Sequence, residues 1–156
     1  VCYPAVPFRA MPGVKINVDD DSCLQITAPY ISSSSICTND VVELLDNQSF
    51  MLIGRRDFVI NSGGRKIFPE QLEEKLSVQL RIPFFFTGIP DVELGEKLVL
   101  VVEGGIKEKQ LGLKTATELL GADKHLVPKD VVCLDTFVFT RTGKLDRIAT
   151  LKGLAL

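Results

Sequence analysis

Apolar and polar positions alternate along the first third of the chain. Val14-Lys15-Ile16-Asn17-Val18 and Cys23-Leu24-Gln25-Ile26-Thr27 repeat with period two, which predicts two half-buried strands. Asp19-Asp20-Asp21-Ser22 lies between them, so the pair reads as a hairpin. Three acids in a row invite a metal, but neighbouring side chains in a strand or turn diverge, and Asp is a standard turn former. The stretch up to residue 13 carries Pro4, Pro7, Pro12 and Gly13 and is expected to be extended and irregular, because proline fixes φ and removes a donor. After a polar loop over residues 32–35, Ile36-Cys37-Thr38-Asn39-Asp40 leads into a strand over 41–45. Phe50-Met51-Leu52-Ile53 pairs back across the turn Asp46-Asn47-Gln48. This piece reads as four short antiparallel strands.

The period changes to that of a helix at Pro69. Leu72, Leu76 and Leu80 recur at i, i+4 and i+8, which predicts a helix over 69–80 with one buried stripe. Glu70, Glu73, Glu74 and Lys75 then form its wet face. Ile82-Pro83-Phe84-Phe85-Phe86-Thr87-Gly88-Ile89 is nearly all apolar, as in a strand covered on both faces. A turn over 91–96 and a central strand, Lys97-Leu98-Val99-Leu100-Val101-Val102-Glu103, follow, and Gly104-Gly105 ends the strand. A second helix over 107–120 is predicted with Leu111, Thr115 and Leu119 on one side and Gly121 as its stop. Asp130-Val131-Val132-Cys133-Leu134 is a third strand, and 146–152 close with a short helix. The class is α+β: about three strands packed by helices and preceded by a small hairpin.

Between these halves stands Ile53-Gly54-Arg55-Arg56-Asp57-Phe58-Val59-Ile60-Asn61-Ser62-Gly63-Gly64-Arg65-Lys66-Ile67-Phe68-Pro69-Glu70-Gln71-Leu72-Glu73-Glu74. A charged joint follows an apolar strand, a β-rich run at 58–60 enters paired glycines, and Pro69 opens the helix. Paired glycines mark a sharp turn or a close backbone approach to a ligand. Local pattern alone gives a β-hairpin followed by a helix, with the glycines serving the turn.

Composition narrows the partners. A net charge of −2 over 156 residues, 46% of them hydrophobic, leaves no basic footprint for nucleic acid. The apolar runs fall short of a membrane span, and no signal-peptide pattern opens the chain. Cys2, Cys23, Cys37 and Cys133 are scattered without a C-x-x-C pair, and the single His125 completes no zinc set. Reduced thiols in a cytoplasmic protein are expected, with no metal site, although spacing leaves a disulfide open. The chain begins at Val1 rather than Met, which leads us to expect a piece of a longer protein.

The joint resembles the signature of AMP-forming acyl-CoA synthetases, the adenylate-forming superfamily, whose members read G-R-x-D-D and then S-G-G-x-K-I-x-P-x-E-I-E-E. Thr140-Arg141-Thr142-Gly143-Lys144-Leu145-Asp146-Arg147 is similar to the family's closing R-T-x-x-G-K-L-x-R. Thr38-Asn39-Asp40 stands where the family carries T-G-D. There are departures: Asn39 for Gly, Phe58 for a second Asp, Val138-Phe139 for Pro-Arg, and Arg141 in a spacer position. The runs at 38–44 and 60–74 look most like the family's menaquinone-pathway branch.

The resemblance implies that residues 1–54 are the β-subdomain ending a large adenylation domain. Residues 58–156 would be a mobile lid. It implies a reaction of carboxylate, ATP and CoA giving acyl-CoA, AMP and pyrophosphate. Lys144 would be catalytic, Asp57 the hinge, Asp40 and Arg55 nucleotide-binding, and Asn61, Ser62, Gly63 and Gly64 the lining of the CoA channel. A long, flexible lysine on a mobile Gly-bearing turn suits charge building on phosphoryl oxygens. A carboxylate at Asp40 offers two acceptors to two ribose hydroxyls, and Asn39 tolerates the left-handed conformation of a turn there. ATP or AMP and Mg2+ would be held mainly by an N-terminal part, since no glycine-rich loop ending in Lys occurs here. The implied partners are a small carboxylic acid and the rest of the large domain, and a homodimer is compatible. Two further readings stay open: an aryl-acid adenylating domain that loads a carrier protein, and a non-catalytic lid-like binding module.

Overall fold

The computed structural model describes residues 6–152, so Cys2 and Pro4 lie outside the described residues. Residues 6–59 and 60–152 form two compact units.

The first unit is a five-stranded antiparallel sheet. Its strands are β1 (Phe8–Arg9), β2 (Lys15–Val18), β3 (Cys23–Thr27), β4 (Ile36–Leu44) and β5 (Ser49–Arg55), in the order β1-β5-β4-β3-β2. The β2–β3 hairpin turns on Asp19, whose Oδ1 accepts from the amides of Asp21 (2.9 Å) and Cys23 (2.8 Å). The acidic triplet therefore builds the turn with its own carboxylate. Two expectations change. The proline-rich start is not wholly irregular, because Phe8 pairs with Phe50 across β1–β5 and their rings stack 5.5 Å apart. Residues 36–44 form one strand, so Asp40 lies within a ladder opposite Arg55 rather than in a turn. A bulge between Val41 and Val42 accommodates the change of register.

A single 3₁₀ turn, Arg56–Phe58, follows β5. Phe58 therefore starts no strand, and pairing resumes at Ile60. The second unit opens with the hairpin β6 (Ile60–Ser62) and β7 (Arg65–Ile67), then α1 (Pro69–Ser77). Gly63 (φ 57°) and Gly64 (φ 76°) are the two central residues of the hairpin turn. Positive φ at both positions is what a two-residue hairpin with native twist demands. Strands β8 (Phe84–Asp91) and β9 (Gly95–Glu103) pair antiparallel, and α2 (Ile106–Leu120) crosses to β10 (Asp130–Leu134), which runs parallel to β9. The hairpin joins the same sheet through Ser62 and Gly95, so that β9 is central and β8 lies at an edge. A short α3 (Arg147–Leu151) follows.

Both faces of this sheet are covered. Leu98, Leu100 and Val102 point into a cluster with Phe86, Leu72, Leu76 and Leu120 under α1 and α2. Val99 and Val101 point the other way, onto Phe85 and Phe137, with Leu145 and Leu151 against them. Successive strand residues face opposite sides, and Leu98 through Val102 have no exposed surface. The three phenylalanines thus serve the sheet.

Two predicted faces are corrected. In α2 the buried stripe is Gly112, Thr115, Ala116 and Leu120, while Leu111 is 48% exposed. Gly112 allows that rotation, since a Cβ there would stand 3.1 Å from Val102. In α1, Glu70 is buried and Glu73 largely so, which removes both from the wet face. Among the described residues no helix is long and apolar enough to cross a membrane.

Candidate functional site

Lys144 sits in a hairpin-like loop. The loop is opened by Phe139 and closed by Leu145, which bridge each other. Thr140 organises it. Its amide donates to the Lys144 carbonyl (2.8 Å), its carbonyl accepts from Gly143 N (2.9 Å), and its hydroxyl accepts from Lys144 N (3.1 Å). Gly143 takes φ 74°. Three hydrogen bonds thus tie the turn to Thr140, and Arg141 is exposed. The Lys144 side chain is exposed, and among the described residues no hydrogen bond or ion pair engages its ammonium. It borders a cleft of about 240 Å³ lined otherwise by Pro83, Phe84, Phe137, Phe139, Gly143 and Leu145. A hydrogen-bonded loop carrying an unengaged cation beside an apolar wall can deliver charge to an anion without first breaking a contact.

The loop is tied to α3. Asp146 N donates to Val138 O (2.9 Å), Asp146 Oδ1 caps the helix by accepting from Ala149 N (2.9 Å), and Thr150 Oγ1 accepts from Val138 N (3.0 Å). From the same helix Arg147 reaches Glu73 of α1, with Nη2 to Oε2 at 2.7 Å. Burial pushes the Glu73 carboxyl above its ordinary value, and the Arg147 charge and the Phe86 amide pull it partly back. Sequence reading placed Glu73 in water. Its position next to Leu72, one helical step from the buried stripe, was the available signal.

In the first unit, Asp40, Arg55 and Asp57 stand together. Arg55 Nε lies 4.0 Å from Asp40 Oδ1, and Arg55 Nη2 lies 3.2 Å from Asp57 Oδ2. Asn39 joins both sides of the 3₁₀ turn: its Nδ2 donates to Asp57 Oδ2 (3.0 Å) and its Oδ1 accepts from Arg56 Nη2 (3.0 Å). Arg56 also pairs with Asp21 (3.3 Å). Sequence reading singled out Asp40, Arg55 and Asp57 but treated Asn39 only as a tolerated turn residue. All these pairs are two-fifths or more exposed, a setting in which each ion pair is worth about 0–1 kcal/mol. The cluster can be rearranged at little cost.

Of the four residues assigned to a channel, Asn61, Gly63 and Gly64 are exposed and Ser62 is buried. Asn61 N donates to Glu96 Oε2 (2.6 Å) and Gly63 N to Leu94 O (2.9 Å), so the turn is braced from the start of β9 and from the β8–β9 loop. Gly88 leaves space for that carboxylate, since a Cβ there would meet Glu96 Oε1 at 2.7 Å. Beside the turn, Arg65, Lys66, Gln71 and Lys75 border a cleft of about 180 Å³. Ile60 and Ile67 of the hairpin pack under α1 and α2, whereas Leu145 beside Lys144 packs on the opposite sheet face.

Several known proteins resemble this chain in sequence and fold. A salicylyl-CoA synthase / salicylate adenylyltransferase from Streptomyces sp is 30% identical over 115 residues, covering 70% of this chain and 20% of the relative. A 2-succinylbenzoate–CoA ligase from Staphylococcus aureus (strain MRSA252) is 34% identical over 122 residues, covering 74% of this chain and 24% of the relative. The chain thus spans a fifth to a quarter of the length of these curated relatives. A solved acyl-CoA synthetase (AMP-forming)/AMP-acid ligase II-like protein from Dyadobacter fermentans DSM 18053 superposes with TM-score 0.58 at 33% identity, over 94% of this chain and 43% of that one. An o-succinylbenzoate CoA synthetase from Bacillus subtilis, solved with its acyl-adenylate intermediate, shares the fold with TM-score 0.67 at 18% identity, over 86% of this chain and 33% of that one. No family model matches.

Proposed function

Because its homologues and structural neighbours are AMP-forming acyl-CoA synthetases matched over their C-terminal part, we propose that this chain is the C-terminal part of an acid–CoA ligase. The acid is o-succinylbenzoate. The carboxylate attacks the α-phosphate of ATP and pyrophosphate leaves, giving the acyl adenylate. The CoA thiol then attacks the acyl carbon and AMP leaves. ATP and its Mg2+ would be held mainly by the rest of the large adenylation domain.

The observation that carries this reading is Lys144, an exposed and unengaged ammonium on a loop held by three hydrogen bonds to Thr140. In the adenylation step the ammonium bridges the acyl oxygen and a phosphoryl oxygen, where negative charge collects. Asp40 accepts from the ribose hydroxyls, and Arg55, its cross-strand partner, turns toward the ribose or phosphate. Asp57 lies in the 3₁₀ turn between β5 and β6, outside both ladders. A hinge there absorbs a φ/ψ change without breaking a strand. In the second half-reaction the exposed turn at Asn61, Gly63 and Gly64 borders the pantetheine arm, with Ser62 supporting it from below.

Lys144→Ala in the full-length protein is expected to slow pyrophosphate release with o-succinylbenzoate by about 10²–10³-fold, the usual effect of deleting one preorganised electrostatic contact. Thioester formation from supplied acyl-AMP and CoA should change little. Equal loss in both half-reactions would defeat the division of roles.

The Streptomyces relative favours a second reading, activation of an aryl acid such as salicylate. Measuring pyrophosphate release with each acid, and thioester formation with CoA against a carrier protein, separates the two.

A further inference from the structure

Glu73 and Arg147 meet at the free edge of β8. Phe86 N donates to Glu73 Oε1 (2.9 Å), and Arg147 Nη1 donates to Phe86 O (3.4 Å). Both backbone groups of Phe86 are therefore taken by side chains on the edge away from β9. Glu73 comes from α1 on one face of the sheet, and Arg147 from α3 on the other. The Arg147 guanidinium lies 5.7 Å from the centre of the Phe85 ring. The side chains of Arg147 and Glu73 are 14% and 19% exposed, whereas every other ion pair among the described residues has both side chains at least 35% exposed.

This pair is placed to control the lysine loop. α3 has five residues, too few to hold a helix by its own hydrogen bonds. Its position must come from tertiary anchors, and Arg147 is its charged one. Asp146, the neighbouring residue, closes the loop at Val138. Displacing Arg147 therefore moves the base on which Lys144 stands.

We propose that Glu73 and Arg147 are positioning residues for Lys144, a clasp around the β8 edge that fixes where the lysine loop leaves the sheet. The proposal rests on the reading of Lys144 as the adenylation lysine. A charge-assisted, bidentate-capable contact suits the task, because a reacting group misplaced by about 1 Å can lose about 10²-fold in rate. Protecting an exposed strand edge is the competing role, and it predicts no preference between half-reactions.

The test uses the full-length protein with Glu73→Gln, Arg147→Lys and Lys144→Ala, singly and with Glu73→Gln combined with Lys144→Ala. Adenylation is read as pyrophosphate release from ATP and o-succinylbenzoate with hydroxylamine as trap. Thioester formation is read from supplied acyl-AMP and CoA. Hydrogen exchange is followed at the amides of Gly143, Lys144 and Asp146, and at β9 as reference. Glu73→Gln is expected to lower the adenylation kcat about 10–100-fold, with thioester formation unchanged and no additional loss in the Lys144→Ala background. Loop amides should exchange about tenfold faster and β9 amides at their former rate. Arg147→Lys should fall between, since it keeps the charge and loses the fork. Equal loss in both half-reactions, or unchanged exchange in the loop, overturns the positioning role, and the exchange readout holds whatever the acid. If Lys144→Ala leaves adenylation intact, the reading of Lys144 fails first; if Lys144→Ala is inactive and Glu73→Gln is not, only the clasp fails.

Discussion

Thr140 does more for Lys144 than Lys144 does for itself. Its amide, carbonyl and hydroxyl each hold part of the loop. The lysine pays no desolvation penalty, being exposed. At the hairpin, Gly64 shows a backbone requirement free of packing: φ is 76° and a Cβ would meet nothing within 4 Å. Gly64→Ala should therefore destabilise by about 1–2 kcal/mol, the cost of a left-handed β-carbon, and Gly64→Asn by less, as read from urea midpoints. A cost near zero would mean that the turn adopts another geometry in solution. The T-G-D departure also acquires a physical reading, for the amide of Asn39 links Asp57 and Arg56, which a glycine lacks the atoms to do.

Among elements, α1 and α2 depend on the sheet in different ways. Leu76 of α1 has no exposed surface in the main cluster, so Leu76→Ala should cost about 2–5 kcal/mol in chemical denaturation. The α2 N-terminus is held by Glu108, whose Oε2 accepts from Gly105 N at 2.8 Å. That bond, then the helix's own amide, holds the Glu108 carboxyl below its ordinary value. A lowered carboxyl stabilises the fold above its unfolded pKa of about 4.3 and loses that contribution as pH falls through the lower folded value. Glu108→Gln should therefore flatten the acid side of a stability–pH curve, seen as a smaller drop in urea midpoint below about pH 4.3; an unchanged acid limb would remove Glu108 from the account. Periodicity placed both helices but aimed them imperfectly. Leu111 is exposed and Gly112 buried because the sheet surface, with Leu100 and Val102 beneath, accepts the backbone closely at a glycine. Glu70 and Glu73 read as solvent-facing from their charge alone, and the partner that makes burial of Glu73 tolerable lies 74 residues away.

Over the whole molecule the two units differ in how well they are filled. Residues 60–152 have two apolar clusters, one on each sheet face. Residues 6–59 bury Cys23, Leu24, Ala28, Val41 and Val42, while Met11, Tyr30, Ile31 and Leu45 stay about half or more exposed. A single sheet with one thin apolar layer is marginal by itself. Residues 60–156 expressed alone should unfold in one sharp urea transition, and residues 1–59 alone should show none. A cooperative transition in the shorter piece would show that its thin layer suffices. The 156-residue chain alone is expected to show no pyrophosphate release with ATP and acid, because it has a lysine loop but no glycine-rich phosphate loop.

The sequence by itself determined what depends on near neighbours. Alternation marked β2 and β3, an unbroken apolar run marked the core strand β9, leucines four residues apart marked α1, Gly63-Gly64 marked a hairpin, and two ordered signatures carried the resemblance to AMP-forming acyl-CoA synthetases. These signals are local because backbone conformation and side-chain facing follow from residues a few positions apart. The tertiary structure alone decided what depends on residues far apart in the chain: the hairpin joining the sheet through Ser62 and Gly95, the gathering of Asn39, Arg55 and Asp57, and the burial of Glu73 against Arg147. A charge is tolerated inside only when its opposite arrives there too, and no pattern along the chain records which distant residue that will be.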